Sequence, residues 1–269
     1  MNGITVRTLA YHIDQAIETH DVNKPEWIDQ ILDSIYDSGE TMLSHGQRMV
    51  YIQTDDGVLY YPNDYDEDVR QKFDNRVEEG DCVVDIGASL GYYTLRAADL
   101  VGTAGTVYAF EPEASRYAAL QKSIQINGIE QRVVHSNTPV ADAEGEINIR
   151  ERTAQEEWAT RTTEATTLDA TVDIEPDIIK IDCEGLEYHV LEGARKLISE
   201  AKPDIFCEIH PSLIDANGYS IQDIESFVSE MGYTLYCVDS RSPAKIESIP
   251  TDTRYSLASA TVLFTEDHG

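Results

Sequence analysis

The chain has 269 residues and a mass of 30.1 kDa, enough for one substantial core with a smaller appendage, and its 41% hydrophobic content marks it as globular. Fifty acids against twenty bases leave a formal charge of −30, spread along the chain, which argues against free nucleic acid or an anionic membrane surface as a partner. No apolar run reaches the length of a bilayer crossing, and residues 1–19 mix acids with apolar residues instead of presenting a basic start and an apolar block, so a cytoplasmic location is expected.

An excess of acids with few lysines is the pattern of a surface adapted to high salt, where screening removes the repulsion and the carboxylates keep the surface hydrated. A halophilic source is therefore expected, with loss of structure in dilute buffer. Cys82, Cys183, Cys207 and Cys237 each sit in an apolar strand-like run and form no Cys-x-x-Cys pair, so they read as small buried hydrophobes rather than zinc ligands or nucleophiles.

Residues 1–79 read as an appendage. Trp27, Ile28, Ile31, Leu32 and Ile35 recur at helical spacing, predicting an amphipathic helix over 25–36 that Gly39 stops. Residues 48–54 and 58–61 flank Asp55-Asp56-Gly57, a hairpin signal. Tyr60, Tyr61 and Tyr65 with Asp64, Asp66, Glu67 and Asp68 form either an acceptor-facing rim or a solvated loop.

Residues 80–269 form the principal domain, in which strands and helices alternate as in a parallel sheet covered on both faces. Its first unit is Val-Val-Asp-Ile-Gly-Ala-Ser-Leu-Gly from Val83, a buried strand over 82–86 entering a turn punctuated by Gly87 and Gly91, with a helix opening at Tyr92. Glycines there let backbone N–H groups at a helix N-terminus approach a ligand. The dinucleotide fingerprint would need a further glycine where Ala88 stands, and Asp85 beside the turn would oppose a pyrophosphate. An acid suits the ammonium of an amino acid, so the ligand that fits is an adenosine joined to an α-amino acid, S-adenosylmethionine. Glu111, ending a second strand over 106–110, can accept from both ribose hydroxyls. No Gly-Lys-Ser/Thr follows the glycines, which excludes a P-loop.

A helix over 114–126 ends at Asn127-Gly128, and 132–136 is a weaker third strand. Residues 146–150 alternate as a short strand, and the Thr- and Glu-rich stretch 151–176 reads as an excursion out of the sheet. The apolar run 178–181 is the fourth strand and ends in Asp182-Cys183-Glu184-Gly185, after which Leu186, Val190, Leu191, Ala194, Leu197 and Ile198 share one helical face. A strand over 204–209 ends in Glu208-Ile209-His210-Pro211, a helix follows around Ile221, Ile224, Phe227, Val228 and Met231, and 233–238 and 259–264 complete seven strands.

Ligands of an open α/β sheet bind beyond the carboxyl ends of the strands, where strand order reverses. Those ends carry Asp85, Gly87, Glu111, Asn137, Asp182, Glu184, Glu208 and His210. Methyl transfer from a sulfonium requires alignment of donor and acceptor and removal of a proton from a hydroxyl acceptor. Asp182, Glu208 and His210 are the candidate catalytic residues. An acid directly after four core residues has little structural reason to be there. Glu184 and Glu187 read equally as stabilisers of the next helix's positive end, and His210 as an exposed turn residue. Carboxylates at a rim also admit a divalent cation, but no ligand spacing requires one, and a metal is not expected.

The residues resemble the FkbM-type family of S-adenosylmethionine-dependent methyltransferases. The likeness is carried by Gly80-Asp81-Cys82-Val83-Val84-Asp85-Ile86-Gly87-Ala88-Ser89-Leu90-Gly91-Tyr92-Tyr93-Thr94, by Phe110-Glu111-Pro112, by Thr167-Leu168-Asp169, and above all by Ile179-Lys180-Ile181-Asp182-Cys183-Glu184-Gly185-Leu186-Glu187 with Val190-Leu191-Glu192-Gly193-Ala194. It implies a Rossmann-like class I methyltransferase fold with the last strand antiparallel, and O-methylation of sugar or polyketide-like hydroxyls. It also implies that Asp85, Gly87, Gly91 and Glu111 line the cofactor site, with Asp182 facing the transferring methyl; Ala88, Tyr92, Pro112 and Asn137, at the same turn and strand ends, are expected to line it with them and with Asp182.

The expected activity is O-methylation of a glycan or small metabolite, and a homo-oligomer is compatible with it. The rival readings are a nucleoside-binding protein without catalysis and a nicotinamide-dependent oxidoreductase, which the missing glycine disfavours.

Overall fold

A computed structural model describes residues 40–43, 46–50, 52–54, 57–59, 66–152, 158–238, 244–249 and 260–266. The expected helix over 25–36 and Tyr60, Tyr61 and Tyr65 lie outside these residues. Before the principal domain, β1 (Glu40–Met42) pairs antiparallel with β2 (Arg48–Val50), and β3 (Ile52–Thr54) with β4 (Gly57–Leu59). A hairpin forms at the expected place, but Thr54 stands opposite Gly57, so Gly57 belongs to the second strand and not to the turn, and the expected strand over 48–54 divides between β2, paired with β1, and β3. The β2 backbone docks on a helix of the principal domain, Arg48 N–H donating to Asn127 Oδ1 at 2.9 Å and Val50 N–H to Ser123 Oγ at 2.9 Å. The helix α1 (Glu67–Asp74) buries Val69 and Phe73, and Phe73 meets Tyr93 and Phe206 edge-on at 5.1 and 5.6 Å between ring centres. Core contacts therefore cross residue 79.

Eight strands form the main sheet among the described residues. In chain order they are β5 (Cys82–Ile86), β6 (Thr106–Phe110), β7 (Val133–Ser136), β10 (Ile178–Ile181), β11 (Asp204–Ile209), β12 (Thr234–Cys237), β13 (Ala244–Ile246) and β14 (Ala260–Thr265), while β8 (Gly145–Arg152) and β9 (Trp158–Ala165) stand apart. The order across the sheet is β13-β12-β14-β11-β10-β5-β6-β7. From β7 to β11 all neighbours are parallel, and β14 runs antiparallel between β11 and β12, the expected reversal. The short edge strand β13 is one more than the seven expected; its three residues are too few to show an alternation in sequence.

Alternate residues of each central strand feed two apolar layers. Val84, Ile86, Ile179, Ile181, Ile205 and Cys207 face one cluster with Leu191, Ile198 and Phe227, while Val83, Ile178 and Phe206 face the other with Leu95, Leu120 and Ile124. The covering helices are α2 (Tyr92–Leu100), α3 (Ala114–Asn127), α4 (Leu168–Thr171), α5 (Glu187–Gly193), α6 (Arg195–Ala201), α7 (Pro211–Ala216) and α8 (Ile221–Glu230). The single helical face expected from Leu186 to Ile198 is broken at Ala194, which leaves helical geometry at φ −113°. Just before the break, Gly193 packs so closely on the Ala141 backbone that an added Cβ would collide with that carbonyl. The excursion after β7 is a hairpin of β8 and β9 in its own two-stranded sheet. The β-branched residues of Trp-Ala-Thr-Arg-Thr-Thr-Glu-Ala in β9 favour that extended state over a polar loop.

The chain order reverses between β5 and β10, which lie side by side with Asp85 opposite Lys180. This is the switch point at which such a sheet opens a crevice.

Candidate functional site

A cavity occupies the switch point, lined by Asp85, Gly87, Ala88, Ser89, Tyr92, Tyr93, Lys180 and Asp182. Five of the expected cofactor residues thus come together, and Gly91 lies at the foot of the same turn as the N-cap of α2, with φ +98°. Gly87, at φ +79°, is required by packing: a Cβ there would run into the Asp182 carbonyl. The Gly87 and Ala88 N–H groups both donate to the Phe110 carbonyl, at 2.9 and 3.0 Å, so they fasten the turn to β6.

Asp85 is buried; its Oδ2 accepts the Thr94 hydroxyl at 2.6 Å, and its carboxylate also accepts from the Thr94 backbone, tying β5 to the first turn of α2. Burial raises its pKa from the ordinary carboxylate value, against the pull of Lys180. Lys180 is only 6% exposed. Burial would lower its pKa, but Asp182, Asp85 and Glu208 outweigh that and raise it, so the side chain stays an ammonium. Asp182 is opposed by burial, but Lys180 and then His210 hold its carboxyl below the usual range.

On the β6 side, Glu111 is buried with both oxygens engaged: Oε2 accepts from Ser89 N–H and Oε1 from Glu113 N–H, each at 2.8 Å. Burial pushes its carboxyl up to about 7. Each oxygen keeps a further lone pair, the capacity a ribose diol needs. Asn137 and Pro112 shape this loop. The Asn137 amide donates to the carbonyls of Glu111 and Pro112 at 2.8 and 3.0 Å, and Arg161 in β9 donates to the Pro112 carbonyl at 2.8 Å.

Beyond β10 and β11, Asp182, Glu208 and His210 place their donor atoms within 4.8 Å of one another. His210 is more than the exposed turn residue considered from sequence: its side chain is 14% exposed, and its Nδ1 lies 2.7 Å from Oε1 of the fully buried Glu187. That oxygen also accepts Gly185 N–H at 3.0 Å, while Glu187 Oε2 has no hydrogen-bond partner among the described residues. The imidazole Nε2 faces Glu208, Glu184 and Asp182 at 3.8, 3.9 and 4.0 Å. Burial would lower the His210 pKa, but the Glu187 bond and the surrounding carboxylates raise it to about 9. Burial pushes the thiols of Cys82, Cys183 and Cys207 up, Cys82 to about 12, which leaves them inert.

The profile of the methyltransferase FkbM domain matches residues 85–235. The chain belongs to this family. Its members use S-adenosylmethionine, so that is the cofactor of this chain, and the donor set at the switch point suits it: a buried acid and a buried ammonium line the cavity, and Glu111, outside that lining, is joined to it through the Ser89 N–H. A solved FkbM methyltransferase from Methylobacillus flagellatus KT is 19% identical with a TM-score of 0.51, over 70% of this chain and 44% of that one. The chain thus spans less than half of that structure. An S-adenosylmethionine-dependent O-methyltransferase from Thermotoga maritima is 13% identical at a TM-score of 0.44, covering 83% of this chain and 84% of that one. A precorrin-6y C5,15-methyltransferase from Geobacter metallireducens GS-15 is 11% identical at 0.47, covering 81% and 94%. No curated protein matches the chain. No helix among the described residues is long and apolar enough to cross a membrane.

Two site residues, Lys180 and Ser89, and one pairing, Glu187 with His210, are not visible in the sequence. Lys180 was counted as part of an apolar strand, although a lone charge inside four core residues is itself a signal. Ser89 is held at φ +49° in the turn, and Glu187 orients His210 across 23 positions of sequence, a pairing that no local pattern displays.

Proposed function

We propose that the protein transfers a methyl group to a hydroxyl of a glycan or small metabolite. The observation that carries this reading is the adjacency of two half-sites through Asp182: it lines the switch-point cavity on one side and lies 4.0 Å from His210 Nε2 on the other. When bound, the cofactor supplies an electrophilic methyl on a sulfonium. Asp85 would face its ammonium and Glu111 its ribose. Glu187 would keep a proton on His210 Nδ1 and leave Nε2 to take the proton from the acceptor hydroxyl as the new carbon–oxygen bond forms. Glu208 and Asp182 would stabilise the imidazolium that results.

The test is calorimetry with S-adenosylmethionine and NAD, followed by incubation with labelled methyl donor and fractionated glycans and metabolites. Binding of the sulfonium compound and label in a hydroxyl-bearing product are expected. Cofactor binding without label in any fraction would favour a non-catalytic binding protein, and NAD binding in its place would favour an oxidoreductase. A second reading follows from the donor spacing of Asp182, Glu208 and His210, which a divalent cation could bridge. Loss of label transfer on chelation, restored by added cation, would favour it over the base.

A further inference from the structure

The ammonium of Lys180 is the least satisfied charge of the cavity. Its side chain is nine-tenths buried, yet the group carries three donor protons and makes one long hydrogen bond among the described residues, to Asp182 Oδ2 at 3.4 Å. Its other neighbours are the face of Tyr93, with the ring centre 4.7 Å away, and the carboxylates of Asp85, Glu208 and Asp66, which act on it through space without a hydrogen bond among the described residues. Asp85, directly opposite on β5, is occupied by Thr94. A buried cation so weakly bonded is costly unless another acceptor reaches it.

The chemistry of the lining restricts that acceptor. Asp85, Asp182 and Lys180 share the cavity with Ser89, Tyr92 and Tyr93. A phosphate or simple dianion would meet two carboxylates there. An α-amino acid carries an ammonium and a carboxylate two bonds apart, and so can answer both signs at once. We propose that Lys180 holds the α-carboxylate of the cofactor's amino-acid tail, so that β5 and β10 form a two-charge clamp, Asp85 for the ammonium and Lys180 for the carboxylate. This rests on the cofactor cavity described above. It assigns to Lys180 a role distinct from neutralising Asp85 and Asp182.

A structural counter-ion would matter equally for every adenosyl ligand, whereas a carboxylate anchor matters only for ligands that bear one. The experiment is titration calorimetry of the whole chain with S-adenosylhomocysteine and with its decarboxylated counterpart, for the wild type, Lys180→Met and Lys180→Arg. The wild type is expected to bind S-adenosylhomocysteine at least about tenfold more tightly than the decarboxylated compound, as befits a charge-assisted hydrogen bond. Lys180→Met should erase that preference and leave affinity for the decarboxylated compound within about threefold, and Lys180→Arg should restore part of it. Equal weakening toward both ligands would overturn the anchor and leave a structural counter-ion. Should Lys180→Met not fold, the wild type's preference decides together with Lys180→Arg, and a wild-type preference below about threefold overturns the assignment. A wild type that binds neither compound overturns the cofactor site itself, an outcome distinct from the others.

Discussion

At the scale of single residues, His210 decides how the proposed base works. With its pKa raised to about 9 by Glu187 and the rim carboxylates, the imidazole is protonated at neutral pH, and a protonated imidazole cannot accept the acceptor's proton. Activity should therefore rise about tenfold per pH unit below 9 and level off above it. Glu187→Gln keeps an amide oxygen to accept from His210 Nδ1 and Gly185 N–H but removes the buried negative charge, so the His210 pKa should fall. The rising limb of kcat/KM should move at least one unit toward lower pH. A limb that stays in place in the variant would detach His210 from the proton transfer. This coupling could not be seen in sequence. Glu187 stands in the first turn of its helix, where an acid is unremarked, and only the fold returns His210 to it. Asp182 and Glu208 were legible for the opposite reason, since acids that end apolar strands stand out against their own neighbours.

At the scale of elements, the site is the junction of β5 and β10, and Gly87 is what lets the two strand ends close on each other. Its φ of +79° is a conformation that L side chains rarely adopt, and the Asp182 carbonyl fills the place of a Cβ. Gly87→Ala must either unbend the turn or push Asp182 out of the cavity. It is expected to lower stability by at least about 3 kcal/mol in chemical denaturation, and to weaken cofactor binding in whatever fraction folds. A variant within about 1 kcal/mol of the wild type would mean that the strand ends are less closely packed than described. The strands of this junction were readable because each is a short, dense apolar run bounded by glycine or acid. The β8 and β9 hairpin was half hidden: β9 is rich in Thr and Glu, so its composition suggests a loop while its β-branched residues suggest a strand. Pairing with β8 settled the competition, and composition does not show pairing.

At the scale of the whole molecule, charge is the dominant fact. The apolar layers account for why the sheet forms, but the formal charge of −30 must be held together by them. Several of the twenty bases are already committed to local pairs, as in the Asp74 carboxylate shared by Arg70 and Arg96, in Arg76 with Asp204 and in Arg195 with Glu192 and Glu230. The unpaired acids then repel one another over a screening length of about 8 Å in physiological salt, which shrinks to about 3 Å at 1 M. If the acid-rich surface is a halophilic adaptation, removing the screen should destabilise the folded chain. The melting temperature should rise by at least about 10 °C between 0.1 M and 2 M potassium chloride, corresponding to about 3 kcal/mol for a domain of this size. Chloride is the salt to use, because sulfate strengthens apolar burial in any protein and would raise the melt without reporting on charge. A melt that is flat across that range would show that the core outweighs the repulsion unaided. The acidity would then have to be explained by the site, where Asp85, Asp182, Glu184, Glu187 and Glu208 gather around one lysine and one histidine.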